Sequence, residues 1–148
     1  MEHASPTDAG LAMRVARRMI ADEGTGPAWG IELEAAGEGY ARVAMRLAPT
    51  MLNGFGIAHG GMIFALADSA FAYACNSRNV KTVAQSGSIV FLDAGRGGER
   101  LVAEARETAL RGRTGAYVIT VTGEDGRVIA EMQGLSRAVG GPTLEDIE

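Results

Sequence analysis

The sequence predicts an α+β domain in which an antiparallel sheet of five or six strands wraps one long central helix, with a short helix ahead of it. Six runs carry apolar side chains at strand spacing and are separated by turn residues, while one stretch, Gly61 to Asn76, is apolar on nearly every face at helical length. A helix of that kind must be covered on most sides, and a sheet folded around it does so. At 148 residues the chain is one domain, expected over 9–140 with tails at 1–8 and 141–148.

Asp8 is expected to cap a first helix running to Ala21, with Leu11, Val15, Met19 and Ile20 on one face. Arg14, Arg17 and Arg18 fall on another, which reads as a solvated face. Ile31, Leu33 and Ala35 alternate with Glu32 and Glu34, and Ala41, Val43, Met45 and Leu47 follow beyond Gly37 to Gly39, so the two runs form a hairpin. Val83 to Phe91, Leu101 to Thr108, Thr114 to Thr122 and Arg127 to Ala138 are expected as a four-strand meander, broken at Asp93 to Gly98, Arg111-Gly112 and Glu124 to Gly126. The strand face turned from the helix is read as rich in Ile, Val and Tyr, so a second subunit is expected to cover it.

Fourteen Lys and Arg stand against eighteen Asp and Glu, a net charge of −4, and the basic field that tracks nucleic acid is missing. One cysteine, Cys75, and two histidines build neither an intrachain disulfide nor a zinc site, so no metal is expected and a reducing cytoplasm fits. Gly60 to Cys75 is interrupted by Asp68 and falls short of the ~20 residues that span a bilayer. The N-terminus shows no secretory pattern. Nucleophile-elbow, P-loop and dinucleotide fingerprints are absent, and no cofactor is expected.

The chemistry concentrates at Asn53-Gly-Phe-Gly-Ile-Ala-His59-Gly60-Gly61, directly ahead of the apolar helix. His-Gly-Gly replaces the usual Ser, Thr, Asp or Asn cap, leaving N–H groups that can receive an anionic oxygen, or making a tight turn with Asn53 capping from a distance. Asp68 is a carboxylate amid apolar helix residues with no Lys, Arg or His within four positions. It either faces a polar seam or is held for nucleophilic or general-base work. Gly60 and Asp68 are eight positions apart, about 12 Å along a helix, too far to act on one carbonyl. Two antiparallel helices related by a two-fold axis would bring Gly60 of one chain to Asp68 of the other.

The run Met51-Leu-Asn-Gly-Phe-Gly-Ile-Ala-His-Gly-Gly-Met-Ile-Phe-Ala-Leu-Ala-Asp-Ser-Ala-Phe-Ala-Tyr-Ala-Cys-Asn-Ser resembles the hotdog-fold acyl-CoA thioesterases, and among them the PaaI-type thioesterases of phenylacetic acid degradation. The resemblance implies hydrolysis of acyl-CoA thioesters, phenylacetyl-CoA or hydroxyphenylacetyl-CoA foremost, by a homodimer assembled into a homotetramer. By the same resemblance Asp68 is nucleophile or general base, Gly60 the oxyanion donor and Asn53 a ligand of the carbonyl or water. It further implies that His59 orients the turn and that Ser86 positions water. Gly61, Ser88, Arg96, Gly97 and the Arg111-Gly112-Arg113-Thr114 turn are implied in substrate binding, although Asp93-Ala94-Gly95 replaces the family's Arg-Pro-Gly and the arginines are also readable as solvated loop charges. A hotdog-fold hydratase or dehydratase, and a non-catalytic acyl-CoA binding protein, are the alternatives.

Overall fold

In a computed structural model, residues 6–145 are described. Helix α1 spans Pro6–Asp22 and α2 Thr25–Trp29; strands β1 and β2 span Glu32–Gly37 and Tyr40–Arg46. The long helix α3 covers Gly60–Cys75, and β3 to β6 cover Thr82–Phe91, Arg100–Arg111, Thr114–Thr122 and Val128–Ala138. All six strands join one antiparallel sheet in the order β1-β2-β4-β5-β6-β3, with α3 lying across it. The expected α+β class, six-stranded sheet and N-terminal helix are therefore present.

Several expectations change. Helix α1 starts at Pro6, a residue whose fixed φ suits a first helical position, so Asp8 lies inside the helix and is not its cap. Most of the expected N-terminal tail lies outside the described residues. The C-terminal segment is not a loose tail as far as it is described: Asn79 accepts from Thr143 N–H (3.0 Å) and Leu144 N–H (2.8 Å) and donates to the Leu144 carbonyl (2.9 Å). Two short elements, α2 and a 3-10 turn at Pro49–Met51, were not expected from the periodicity because each is too short to show one.

The meander is the larger correction. Strands β4, β5 and β6 do meander, but β3 pairs with β6 at the far edge of the sheet. The connection after β3 carries the chain across the ends of β6 and β5, clamped by Arg127, whose guanidinium donates to the Ala94 carbonyl (2.6 Å) and Glu99 (3.0 Å). Gly95 lies beneath that crossing, where a Cβ would come within 3.0 Å of both Ala58 and Leu47.

The core lies between α3 and the sheet. Leu66, Ala67, Ala70, Phe71 and Ala74 of the helix meet alternate strand residues including Leu101, Ala103, Ile119, Val121 and Met132. Gly134 permits the close approach, since a Cβ there would stand 2.9 Å from the Phe71 ring. Tyr117 and Ile119 point to this side, so the outer face is less aromatic than expected and carries Val118, Thr120, Gln133 and Leu135 instead.

Candidate active site

The segment ahead of α3 is a small self-bonded loop. Leu52 bridges Ala58, Asn53 N–H donates to the Ile57 carbonyl (2.8 Å), and His59 N–H donates to the Met51 carbonyl (2.9 Å). Asn53 Oδ1 accepts from Phe55 N–H at 2.9 Å and from Ile57 N–H at 3.4 Å, so Asn53 fixes the loop and does not cap the helix. Its amide NH2 makes no hydrogen bond among the described residues and remains a donor.

His59 is the cap. Its backbone is extended (φ −61°, ψ 133°) and Nδ1 accepts from Gly61 N–H at 2.9 Å, which requires the neutral ring with its proton on Nε2. The expectation of an uncapped start is therefore wrong in one respect, and Gly61 offers no free N–H. The Gly60 N–H, by contrast, has no acceptor among the described residues and sits at the positive end of the sixteen-residue helix. The Phe91 ring covers this point, 3.1 Å from where a Gly60 Cβ would be.

Asp68 lies two helical turns further on, on a stripe with Gly61, Phe64, Ala65 and Ala72 that is less buried than the sheet-facing stripe. It makes no hydrogen bond or ion pair among the described residues. Burial raises its carboxyl above the ordinary value of 3.8, because the charged form loses solvation and gains no compensating cation. Asp68 thus points away from its own sheet, toward the side that a second chain would cover.

Ser86 and Ser88 stand opposite Leu135 and Gln133 on the outer sheet face, along a groove of about 420 Å³ shared with Thr108 and Val118. A bulge between Ala84 and Ser86 sets this register, and within one chain Ser86 is not brought beside Asp68. Arg96 and Gly97 lie at the Gly60 end of the molecule, where Ile57 bridges Arg96. The turn at Arg111, Gly112, Arg113 and Thr114 lies at the other end, where the Arg113 carbonyl accepts from Ala138 N–H (2.8 Å). Nine-residue β5 separates the two sets by about 30 Å at ~3.3 Å per residue. Sequence reasoning missed Phe91 and the Arg127 clamp; an apolar strand residue and a hairpin arginine carry no local signal of such contacts.

The profile of the thioesterase superfamily matches residues 55–130, which include His59, α3, strands β3 to β5 and the start of β6. The chain belongs to the thioesterase superfamily. It is 38% identical over 130 residues to the acyl-coenzyme A thioesterase PaaI of Escherichia coli K12, covering 88% of this chain and 93% of the relative. The solved structure of the E. coli PaaI protein superposes with a TM-score of 0.89 at 36% identity, covering 90% of this chain and 97% of that one. A Streptococcus mutans protein solved with acetyl-CoA bound matches with a TM-score of 0.73 at 25% identity, over 76% of this chain and 90% of that one. The chain is an acyl-CoA thioesterase of PaaI type with the hotdog fold. Among the described residues, no cluster of His, Cys, Asp and Glu is placed to hold a metal ion, and no helix is long and apolar enough to cross a membrane.

Proposed function

We propose that the chain hydrolyses acyl-CoA thioesters at sites shared between two copies, with phenylacetyl-CoA or a hydroxyphenylacetyl-CoA as the preferred substrate. The observation that carries this reading is the division of labour at the start of α3: His59 occupies the Gly61 N–H and leaves the Gly60 N–H as the free donor. That N–H receives the thioester oxygen as negative charge develops, a contribution of about 10²–10³ in rate for one such donor, and the free Asn53 amide is a second candidate donor. Asp68 of the facing chain attacks the carbonyl carbon or takes a proton from the water that attacks it. In either route the C–S bond breaks, and the CoA sulfur leaves and takes up a proton; where Asp68 attacks directly, water then hydrolyses the acyl–Asp68 anhydride, releasing the acid and restoring the carboxylate.

Pairing two copies also reconciles the proposed CoA contacts. Arg96 and the Arg113 turn cannot touch one ligand within a single chain, but an antiparallel neighbour along β3 places the far end of one sheet beside the near end of the other. Strand β3 suits that role: it is an edge strand of ten residues with Val83, Val90 and Phe91 about half exposed. The outer groove at Ser86 and Ser88 is then free for a second pair of chains, giving a dimer of dimers. The test is steady-state release of CoA thiol from a panel of aliphatic and aryl-acetyl thioesters. Turnover highest on aryl-acetyl-CoA is expected; binding without turnover, or reversible hydration of an enoyl-CoA, overturns the reading.

A further inference from the structure

The far end of α3 holds a second cavity, of about 130 Å³, that the hydrolytic chemistry does not use. Cys75, Arg78, Leu110, Tyr117 and Ser136 line it, with Gly112 and Arg113 of the turn after β4. It lies seven residues beyond Asp68, about 10 Å along the helix at 1.5 Å per residue. Its walls are largely apolar, and its size is close to that of engineered cavities of about 150 Å³ that hold a benzene molecule.

Ser136 is the telling residue. It is 1% exposed, yet its hydroxyl makes no hydrogen bond among the described residues. It lines the cavity and so is available to a bound molecule. The other polar groups are already engaged: the Tyr117 hydroxyl donates to Glu107 (2.7 Å) and the Cys75 thiol to the Ala72 carbonyl (3.4 Å). Gly115 keeps the hydroxyl in place, because a Cβ there would stand 2.7 Å from both Ser136 Oγ and the Tyr117 ring. The space therefore presents one unmet hydrogen-bonding group inside an apolar, partly aromatic wall.

We propose that this cavity is a second binding site, for a small neutral aromatic ring bearing one hydroxyl group, with Ser136 as its hydrogen-bond partner. Two arginines line it: Arg78 is already paired with Glu38 and Glu107, which leaves Arg113, unpaired among the described residues, as the one free charge that an ionised ligand could meet. The site shares Gly112 and Arg113 with the turn proposed to contact CoA, but none of its walls belongs to the Gly60 or Asp68 machinery.

Phenol and toluene titrated into the intact protein test it, read by the rate at which maleimide labels Cys75, the only cysteine in the chain. Phenol at about four times its Kd should slow labelling about fivefold by mass action, and phenol should bind more tightly than toluene. Ser136→Ala should weaken phenol by about tenfold, roughly 1.4 kcal/mol, and leave toluene and thioester hydrolysis unchanged. Asp68→Asn should leave phenol binding unaltered while hydrolysis falls, so failure at one site is distinguishable from failure at the other. Absence of protection by phenol would show a cavity filled by water alone and overturns the proposal. So does toluene binding more tightly than phenol in the wild-type protein.

Discussion

The Asp68 carboxylate is half-buried with no cation to answer it, and that has opposite consequences for activity and stability. Its folded pKa lies above the ordinary 3.8, so the group contributes least to stability when ionised: the fold is favoured at low pH and loses that contribution as pH rises through the raised value. Asp68→Asn should therefore raise Tm, by about 2–4 °C for each kcal/mol relieved in a chain of this size, while lowering kcat by about 10²–10⁴. The acid limb of the wild-type kcat profile should have its midpoint above 3.8. Calorimetry and pH-rate profiles on both proteins check this, and a variant that loses stability yet keeps its rate would sink the assignment. His59 offers a cleaner separation of roles. If it acts by capping Gly61 through Nδ1, His59→Asn should keep most of the rate, since Asn caps well, whereas His59→Ala should lose about 1 kcal/mol of stability and activity with it. Equal loss in the two variants would point to proton transfer instead.

At the scale of elements, legibility followed periodicity. Helix α3 and the six strands were readable because each presents several turns or alternations of apolar residues, and the proposed catalytic residues Gly60 and Asp68 stood out because a charge on an apolar helix and a glycine pair at its start are local anomalies. Pairing order was not, because β3 reaches β6 through contacts such as Arg127 to Ala94 that no local pattern encodes. The side on which Ser86 falls was likewise hidden, since it depends on the bulge after Ala84. Given that placement, Ser86→Ala should keep kcat within about threefold of wild type, a change of under 1 kcal/mol. A loss as large as that of Asp68→Asn would show that a second chain brings this hydroxyl to the carboxylate. The far end of α3 is anchored differently. Arg78 forks onto Glu107 at 2.8 and 2.9 Å, and Tyr117 donates to the same carboxylate. Burial raises the Glu107 carboxyl, but Arg78 and Tyr117 outweigh it and hold it below the ordinary 4.5. Its contribution to stability is present above that pH and lost as pH falls through the depressed value. Arg78→Met should thus be destabilising by about 3 kcal/mol, the scale for leaving a partly buried charge unpaired, with the difference from wild type in denaturant titrations shrinking in acid.

For the whole molecule, the separation of Gly60 from Asp68 along one rigid helix makes a strong demand on assembly. At eight positions apart, about 12 Å, one chain cannot place both on a single carbonyl, so the proposed site draws its donor and its carboxylate from different copies. Complementation between two inactive variants tests this directly. Gly60→Pro deletes the donor, and the backbone accepts it: Gly60 is the first helical residue, its φ is not positive, and His59 before it is already extended. The ring of Phe91 must shift slightly, which its half-exposed position allows. Asp68→Ala removes the carboxylate. A mixed pair then carries one site with both defects and one intact site, and random 1:1 co-refolding makes half the pairs mixed, so roughly a quarter of wild-type activity should return. Circular dichroism checks that each variant folds alone, and native mass spectrometry counts the mixed pairs. Full mixing without recovered activity would mean that each copy completes its own site, and α3 would then have to bend between Gly60 and Asp68 for the chemistry to proceed.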